Sequence, residues 1–241
     1  APIMDNVIYF DGTVASDPAN EKFLHNEFGV NYRFGKLGIN ASAYNTDWQD
    51  RNLTKSVTTG QGDSGDTDVI FLTGVNQKHS GVELETNYMV NDMLDLMFVA
   101  SFGNWKFDGD ANGNYQETEY NSEGQAIGYT TTEYAYALDG LYVGDMPQTS
   151  YVLGVTLKPI KDLRIQAIHK MYDKNYSDWS PSAREFDGTN DDADRAQVWE
   201  APSYNRLDLH MSYKLPKVKD LDMMLTANIF NVLDEVYVQD A

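Results

Sequence analysis

The sequence predicts an all-β protein, an antiparallel transmembrane β-wall built from strands of roughly 9–12 residues. Three observations carry this. Apolar and polar residues alternate through four successive hairpins. Connections inside the hairpins are short and those between them are long. No run of about 18 apolar residues could form a membrane helix, and a β-barrel needs none.

The first hairpin pairs FGVNYRF with LGINASAYNTDW across Gly35-Lys36. Its apolar face is Phe28, Val30, Tyr32 and Phe34, then Leu37, Ile39, Ala41 and Ala43. The second turns at Asn91-Asp92, with Val82, Leu84, Thr86 and Tyr88 facing Leu94, Leu96, Phe98, Ala100 and Phe102. The third turns through Lys158–Asp162, with Tyr151, Leu153, Val155 and Leu157 opposite Leu163, Ile165 and Ala167. The fourth turns through Pro216–Asp220, with Leu207, Leu209, Met211 and Tyr213 opposite Leu221, Met223, Leu225, Ala227 and Ile229. Side chains on a strand alternate faces, so each hairpin has one apolar and one mostly polar face.

These are about eight strands with short periplasmic turns and long extracellular loops at Asn45–Lys78, Phe107–Gln148 and Asp173–Ser203. A soluble sandwich also alternates, but its outer face would be highly charged and its loops short. Here the second face carries Gly29, Asn31, Asn40, Ser42, Gly103, Gly154, Thr156, Ser212 and Asn228, which suits a lumen. Such small residues cannot fill a closed eight-stranded interior, so a piece of a wider wall is expected. A self-contained structural or adhesive barrel is the alternative, and a soluble β ligand-binding protein the third reading. Tyr32, Phe34, Tyr88 and Tyr213 lie near the short turns, and Tyr44, Trp48, Trp105, Tyr172 and Tyr204 near the long loops. Both sets are expected as girdles at the two membrane interfaces.

Composition narrows the function. The 241 residues carry a net charge of -19, which argues against a nucleic-acid partner. There is no cysteine, so no disulfide framework or thiolate chemistry. The 16 Tyr, 10 Phe and 4 Trp suit strands. The N-terminal APIMDNVIYFDG lacks the basic and apolar regions of a signal peptide. No GxSxG, HExxH or GxxxxGK[ST] motif is present, and Glu83 and Glu85 read as a lumen-facing acidic patch, so no enzyme is expected.

Two sets of site candidates follow. Asp108, Asp110, Asn112, Asn114 and Glu119 fit the D-x-[DN]-x-[DN]-G-x5-E spacing of a Ca²⁺ loop, although no helices flank them and Asn114–Tyr120 with Gln125–Thr132 reads as a hairpin. Trp48, Arg51, Trp179 and Arg184 offer a ligand stacking surface and positive charge in otherwise acidic loops. From Phe107 to Gln148 there is no Lys or Arg, whereas Lys36, Lys158, Lys161, Lys214, Lys217 and Lys219 cluster at the short turns. His25, His79, His169 and His210 are scattered over different strands and read as lumen or interface residues.

Several segments resemble the C-terminal part of a TonB-dependent outer-membrane receptor of the kind found in Bacteroides-like bacteria. They are NEKFLHNEFGVNYRF, GINASAYNTDWQDR, HSGVELETNY, VGDMPQTSYVLGVTLKP, YNRLDLHMSYKL and LTANIFNVLDEVYV, in that order. The resemblance implies a 22-stranded barrel in the bacterial outer membrane, surrounded by lipid and closed by an N-terminal plug. It implies import of a small-molecule nutrient with energy supplied by TonB, and in the glycan importers a surface lipoprotein partner. NIFNVLDEVYV leans towards the siderophore-like or general branch. Plug, TonB-contacting segment and terminal strand are not visible in this stretch, so part of one barrel domain is expected across 1–241.

Overall fold

In the computed structural model, residues 8, 20–59, 66–186, 193–217 and 219–238 are described. The N-terminal stretch lies outside them except for Ile8. The strands are β1 (Lys22–Phe34), β2 (Leu37–Thr59), β3 (Asp66–Asn91), β4 (Leu94–Phe107), β5 (Ala111–Tyr120), β6 (Ala126–Tyr136) and β7 (Thr149–Leu157). They continue with β8 (Leu163–Asp173), β9 (Asn175–Tyr176), β10 (Glu185–Phe186), β11 (Glu200–Ala201), β12 (Tyr204–Lys214) and β13 (Met224–Ile229). A 3-10 turn covers Pro181–Ala183.

The wall is the series β1-β2-β3-β4-β7-β8-β12-β13, and every neighbouring pair is antiparallel. These are the eight strands expected from the alternation. Their register carries the two faces across the sheet unbroken. Phe28 opposes Ala43, Ala43 opposes Val82, and Val82 opposes Phe102. Phe28, Val30 and Phe34 are exposed on this apolar face, as are Val82, Phe102 and Leu153. On the other face Gly29, Ser42, Glu83 and Ser101 lie in one row. A barrel turns such a face to its lumen and the apolar face to lipid. The wall is open, because β1 and β13 stand at its two ends and are not paired with each other among the described residues.

The first two long connections are not the loops expected. β2 and β3 run on past the wall to Thr59 and from Asp66. Two compensating bulges mark the boundary. β2 carries an extra residue between Trp48 and Arg51, where Asp50 takes φ 56. β3 carries one opposite Arg51–Leu53, where Gly74 takes φ 67. An extra residue breaks the ladder locally and bends the strand. Above it β3 changes partner, from β4 to β5, and β5 pairs with β6 and β6 with β10. The hairpin expected near Asn121–Gly124 is therefore β5–β6, the branch of an extracellular module.

That module holds the main hydrophobic cluster of the described residues, in which Ile70, Leu72, Val75, Tyr136, Leu138 and Trp179 pack together. Chain after β6 and β8 folds over it. Tyr142 stacks on Tyr176 at 4.3 Å, and β11 pairs with β9. Burial, with the Glu200 carboxylate nearby, pushes the Tyr176 hydroxyl up to about 12. Arg195 grips Asp110 with both terminal nitrogens, at 3.2 and 2.9 Å. Leu138 and Asp139 donate backbone N–H groups to the same carboxylate.

At the far end of the wall the buried Asp208 of β12 accepts from Lys170 at 3.1 Å, Arg206 at 3.1 Å and the Asn231 backbone N–H at 3.0 Å. This ties the turn after β13 back onto β12, where Tyr237 stacks on Tyr204 at 4.3 Å.

Candidate functional site

The register decides which aromatic rings face the lumen. Tyr44 lies opposite Glu27 and Gly81, and Gly81 opposite Gly103. One step up, Thr46 lies between His25 and His79, and His79 opposes Trp105. One further step brings Phe23, Trp48, Gln77 and Phe107 into a row. All share the polar face with Ser42 and Glu83. The expected extracellular girdle is thus corrected: Tyr44, Trp48 and Trp105 point into the lumen, and so do Tyr172 and Tyr204, which continue the Ser101–Ser150 row. The parity of each strand allows nothing else. The lower girdle keeps its lipid-side parity, with Tyr32, Phe34 and Tyr88 exposed on the apolar face.

These rings line an open recess of about 350 Å³. Two glycines make it possible. A Cβ on Gly81 would stand 2.5 Å from the Tyr44 hydroxyl, and one on Gly103 would stand 2.9 Å from the Trp105 ring. The Tyr44 ring therefore lies across the bare backbone of the neighbouring strand β3, and the Trp105 ring folds back over the glycine two residues before it on β4. Trp105 Nε1 donates to the Tyr44 hydroxyl at 2.9 Å, and His79 stacks on Trp105 at 5.5 Å. His25 Nδ1 is hydrogen-bonded to Thr46 Oγ1 at 2.8 Å. Phe23 meets Trp48 edge-on at 5.7 Å, and Trp48 Nε1 donates to Glu21 at 3.0 Å.

Gln148 fixes the back of the recess. It is 1% exposed. Its side-chain oxygen accepts from the Trp105 N–H at 2.9 Å, while its amide donates to the Trp105 and Val143 carbonyls at 3.1 and 3.2 Å. Its own carbonyl accepts from Gly103 N–H. The β4–β7 ladder ends at the Phe102–Thr149 pair, so Gln148 continues the hydrogen bonding where the strand stops.

Of the sequence candidates, Trp48 and Arg51 come together, with the guanidinium over the indole and donating to Gln77 at 2.6 Å. Trp179 and Arg184 do not join them. Trp179 is 4% exposed and packs on Phe107 and Tyr136. Arg184 is 5% exposed and donates to the Asp194 carbonyl. Both hold the module together instead of lining a ligand surface, because the loops fold over them. The five Ca²⁺ candidates are not gathered either. β5 runs straight through Asn112, Asn114 and Glu119, so Glu119 sits roughly 30 Å of strand from Asp110. Lys78 holds Asp108 at 2.7 Å, Arg195 holds Asp110, and Thr130 donates to Glu119 at 2.6 Å. Among the described residues no group of three or more His, Cys, Asp or Glu could hold a metal ion.

Of the histidines, His25 and His79 enter the recess, and His210 faces the lumen bonded to Asn228 at 2.8 Å. His169 falls on the apolar face, opposite Leu153 and Leu207, where Asn205 meets it at 3.0 Å. Gly81, Gly103, Gln148, Tyr44 and Trp105 were not legible as site residues. Strand parity would have placed Tyr44 with Ser42 and Asn40, and Trp105 with Gly103, but only pairing shows that Gly81 lies beneath the Tyr44 ring.

An antiparallel wall with an apolar outer face, a polar inner face and an extracellular module defines a bacterial outer-membrane barrel protein. The match to the family model "TonB dependent receptor-like, beta-barrel" spans residues 7–232, so this chain belongs to that family. A solved structure described as "CymD monoaromatic hydrocarbon channel" aligns with a TM-score of 0.48 at 15% identity, over 87% of this chain and 59% of that one. The chain thus spans less than two thirds of that neighbour's length. No curated protein matches.

Proposed function

We propose that this chain is part of the barrel wall of an importer that carries a small-molecule nutrient across the outer membrane with energy supplied through TonB. The observation that carries the reading is the recess. Aromatic rings, two histidines and carboxylates line the lumen side at the extracellular end, where an incoming ligand first meets the wall. Pockets that hold small molecules combine apolar and aromatic surface with a few placed polar groups. Membership of the receptor family supports transport, since its members are transporters. The open wall and the small lumen residues Gly29, Ser42 and Ser101 support a wider barrel over a self-contained one.

Trp48 and Arg51 form the upper rim of this site. The ligand passes through unchanged, as carriage by a member of a transporter family implies. The experiment is growth of a gene-deletion strain on single sources of iron chelate, haem, cobalamin or glycan, repeated with TonB deleted. Loss of one nutrient's uptake in both strains is expected. Uptake of the affected nutrient that survives without TonB overturns the reading.

A further inference from the structure

We infer that the ligand of this recess carries an organic cation, a protonated amine or quaternary ammonium on an apolar body; the inference rests on the reading of the recess as the ligand's resting place. Three features meet there. Tyr44, Trp48, Phe23 and Trp105 present aromatic surface, and an aromatic face attracts a cation through its quadrupole. Glu27 and Glu83 line the same concavity. No lysine or arginine is among the described residues that line it.

The carboxylates are not consumed by the fold. Glu27 has His25 at 3.6 Å and no other ion-pair partner among the described residues. Glu83 has no hydrogen-bond or ion-pair partner among them. Glu85, one turn of the pleat lower, differs: Asn40 and Asn87 donate to it at 3.4 and 2.7 Å. Just above the recess, the chain's own Arg51 already lies over Trp48 at 3.7 Å, so at least one of these rings holds a cation in the folded protein. An anionic ligand would bring its charge against the exposed carboxylates of Glu27 and Glu83, and such like-charge approach disfavours it. Rings and carboxylates together therefore select for positive charge on an apolar frame.

The test uses the full-length receptor in nanodiscs and reads quenching of its tryptophan fluorescence together with calorimetric binding. The probes are phenyltrimethylammonium and its uncharged isostere tert-butylbenzene. The cation is expected to bind at least about tenfold more tightly than the isostere. Glu83→Gln should weaken the cation by about tenfold and leave the isostere unchanged, whereas Glu85→Gln should change neither. Heat-modifiable migration of each variant on gels confirms that it is folded. Equal affinity for the two probes, or an undiminished cation affinity in folded Glu83→Gln, overturns the inference. Cation binding by a receptor whose nutrient uptake is independent of TonB would refute the import reading and leave the cation site standing. TonB-dependent uptake without cation binding does the reverse.

Discussion

The Arg51 guanidinium carbon stands 3.7 Å from the centre of the Trp48 ring. Residues three apart on a regular strand point to opposite faces. These two share a face because β2 holds one extra residue between them, with Asp50 in the left-handed region at φ 56. Asp50 is held there by Lys22 at 2.7 Å and by its N–H donating to Asn76 at 2.9 Å. The bulge thus joins the rim of the recess to the base of the extracellular module.

Replacing Arg51 by Met keeps most of the stem and removes the charge. The cation–ring attraction at a half-exposed site is about 1 kcal/mol. A double-mutant cycle of Arg51→Met with Trp48→Leu, read by urea unfolding in detergent, should return a coupling of that size. Additive losses would show that the pair contributes nothing.

Gly81→Ala should disorder the recess. Its Cβ would stand 2.5 Å from the Tyr44 hydroxyl and 2.7 Å from the Phe102 carbonyl, which is backbone and cannot swing aside. Overpacking of this kind costs about 1–3 kcal/mol. The Tyr44–Trp105 hydrogen bond should break, and Trp105 emission should shift to longer wavelength. An unchanged spectrum and unfolding midpoint would contradict the packing described.

Leu84 lies between Ala41 and Ala100 on the apolar face, mid-way along the wall, and Asn31 bonds to Asn40 on the lumen face. Leu84→Arg should cost about 2–4 kcal/mol at the bilayer midplane, and Asn31→Arg much less. Equal losses in folding assays with lipid vesicles would mean that the faces are assigned wrongly.

Burial raises the Asp110 carboxyl, but the Arg195 guanidinium and the Asp139 and Leu138 N–H groups outweigh it and hold the group below the usual carboxylate range. The folded protein therefore binds this proton less readily than the unfolded chain. The stabilisation is complete above the unfolded value, near 3.8, and is lost as pH falls through the lower folded one. Hydrogen exchange of Leu138 and Asp139 should accelerate below about pH 4 beyond the intrinsic trend. Asp110→Asn should remove that pH dependence, and its persistence in the variant would assign it elsewhere.

Asp208→Ala leaves Lys170 and Arg206 facing each other without their carboxylate, and frees the Asn231 N–H. Breaking a buried pair in this way costs roughly 3 kcal/mol. The turn after β13 should become open to proteolysis near Asn231. Equal protease resistance in the variant and the parent would show that the turn is held by other contacts.

The sequence by itself determined the wall. A two-residue period leaves each strand one choice of face, so Phe28, Val82 and Leu153 could only lie together and Gly29, Ser42 and Glu83 could only lie opposite. It also set the short turns, since Gly35 and Asn91-Asp92 are turn residues between alternating runs. Tertiary structure alone decided the rest. Alternation is lost count of at a bulge, so nothing local predicts that Arg51 returns to the face of Trp48. The partners of β3 above Gly74 depend on a switch from β4 to β5 that no periodicity records. Trp179 and Arg184 looked like loop residues open to a ligand, but long-range packing buried them. The recess itself arises where the Tyr44 ring of β2 crosses Gly81 of β3 and meets Trp105 of β4, and such a fit exists only once the strands are in register.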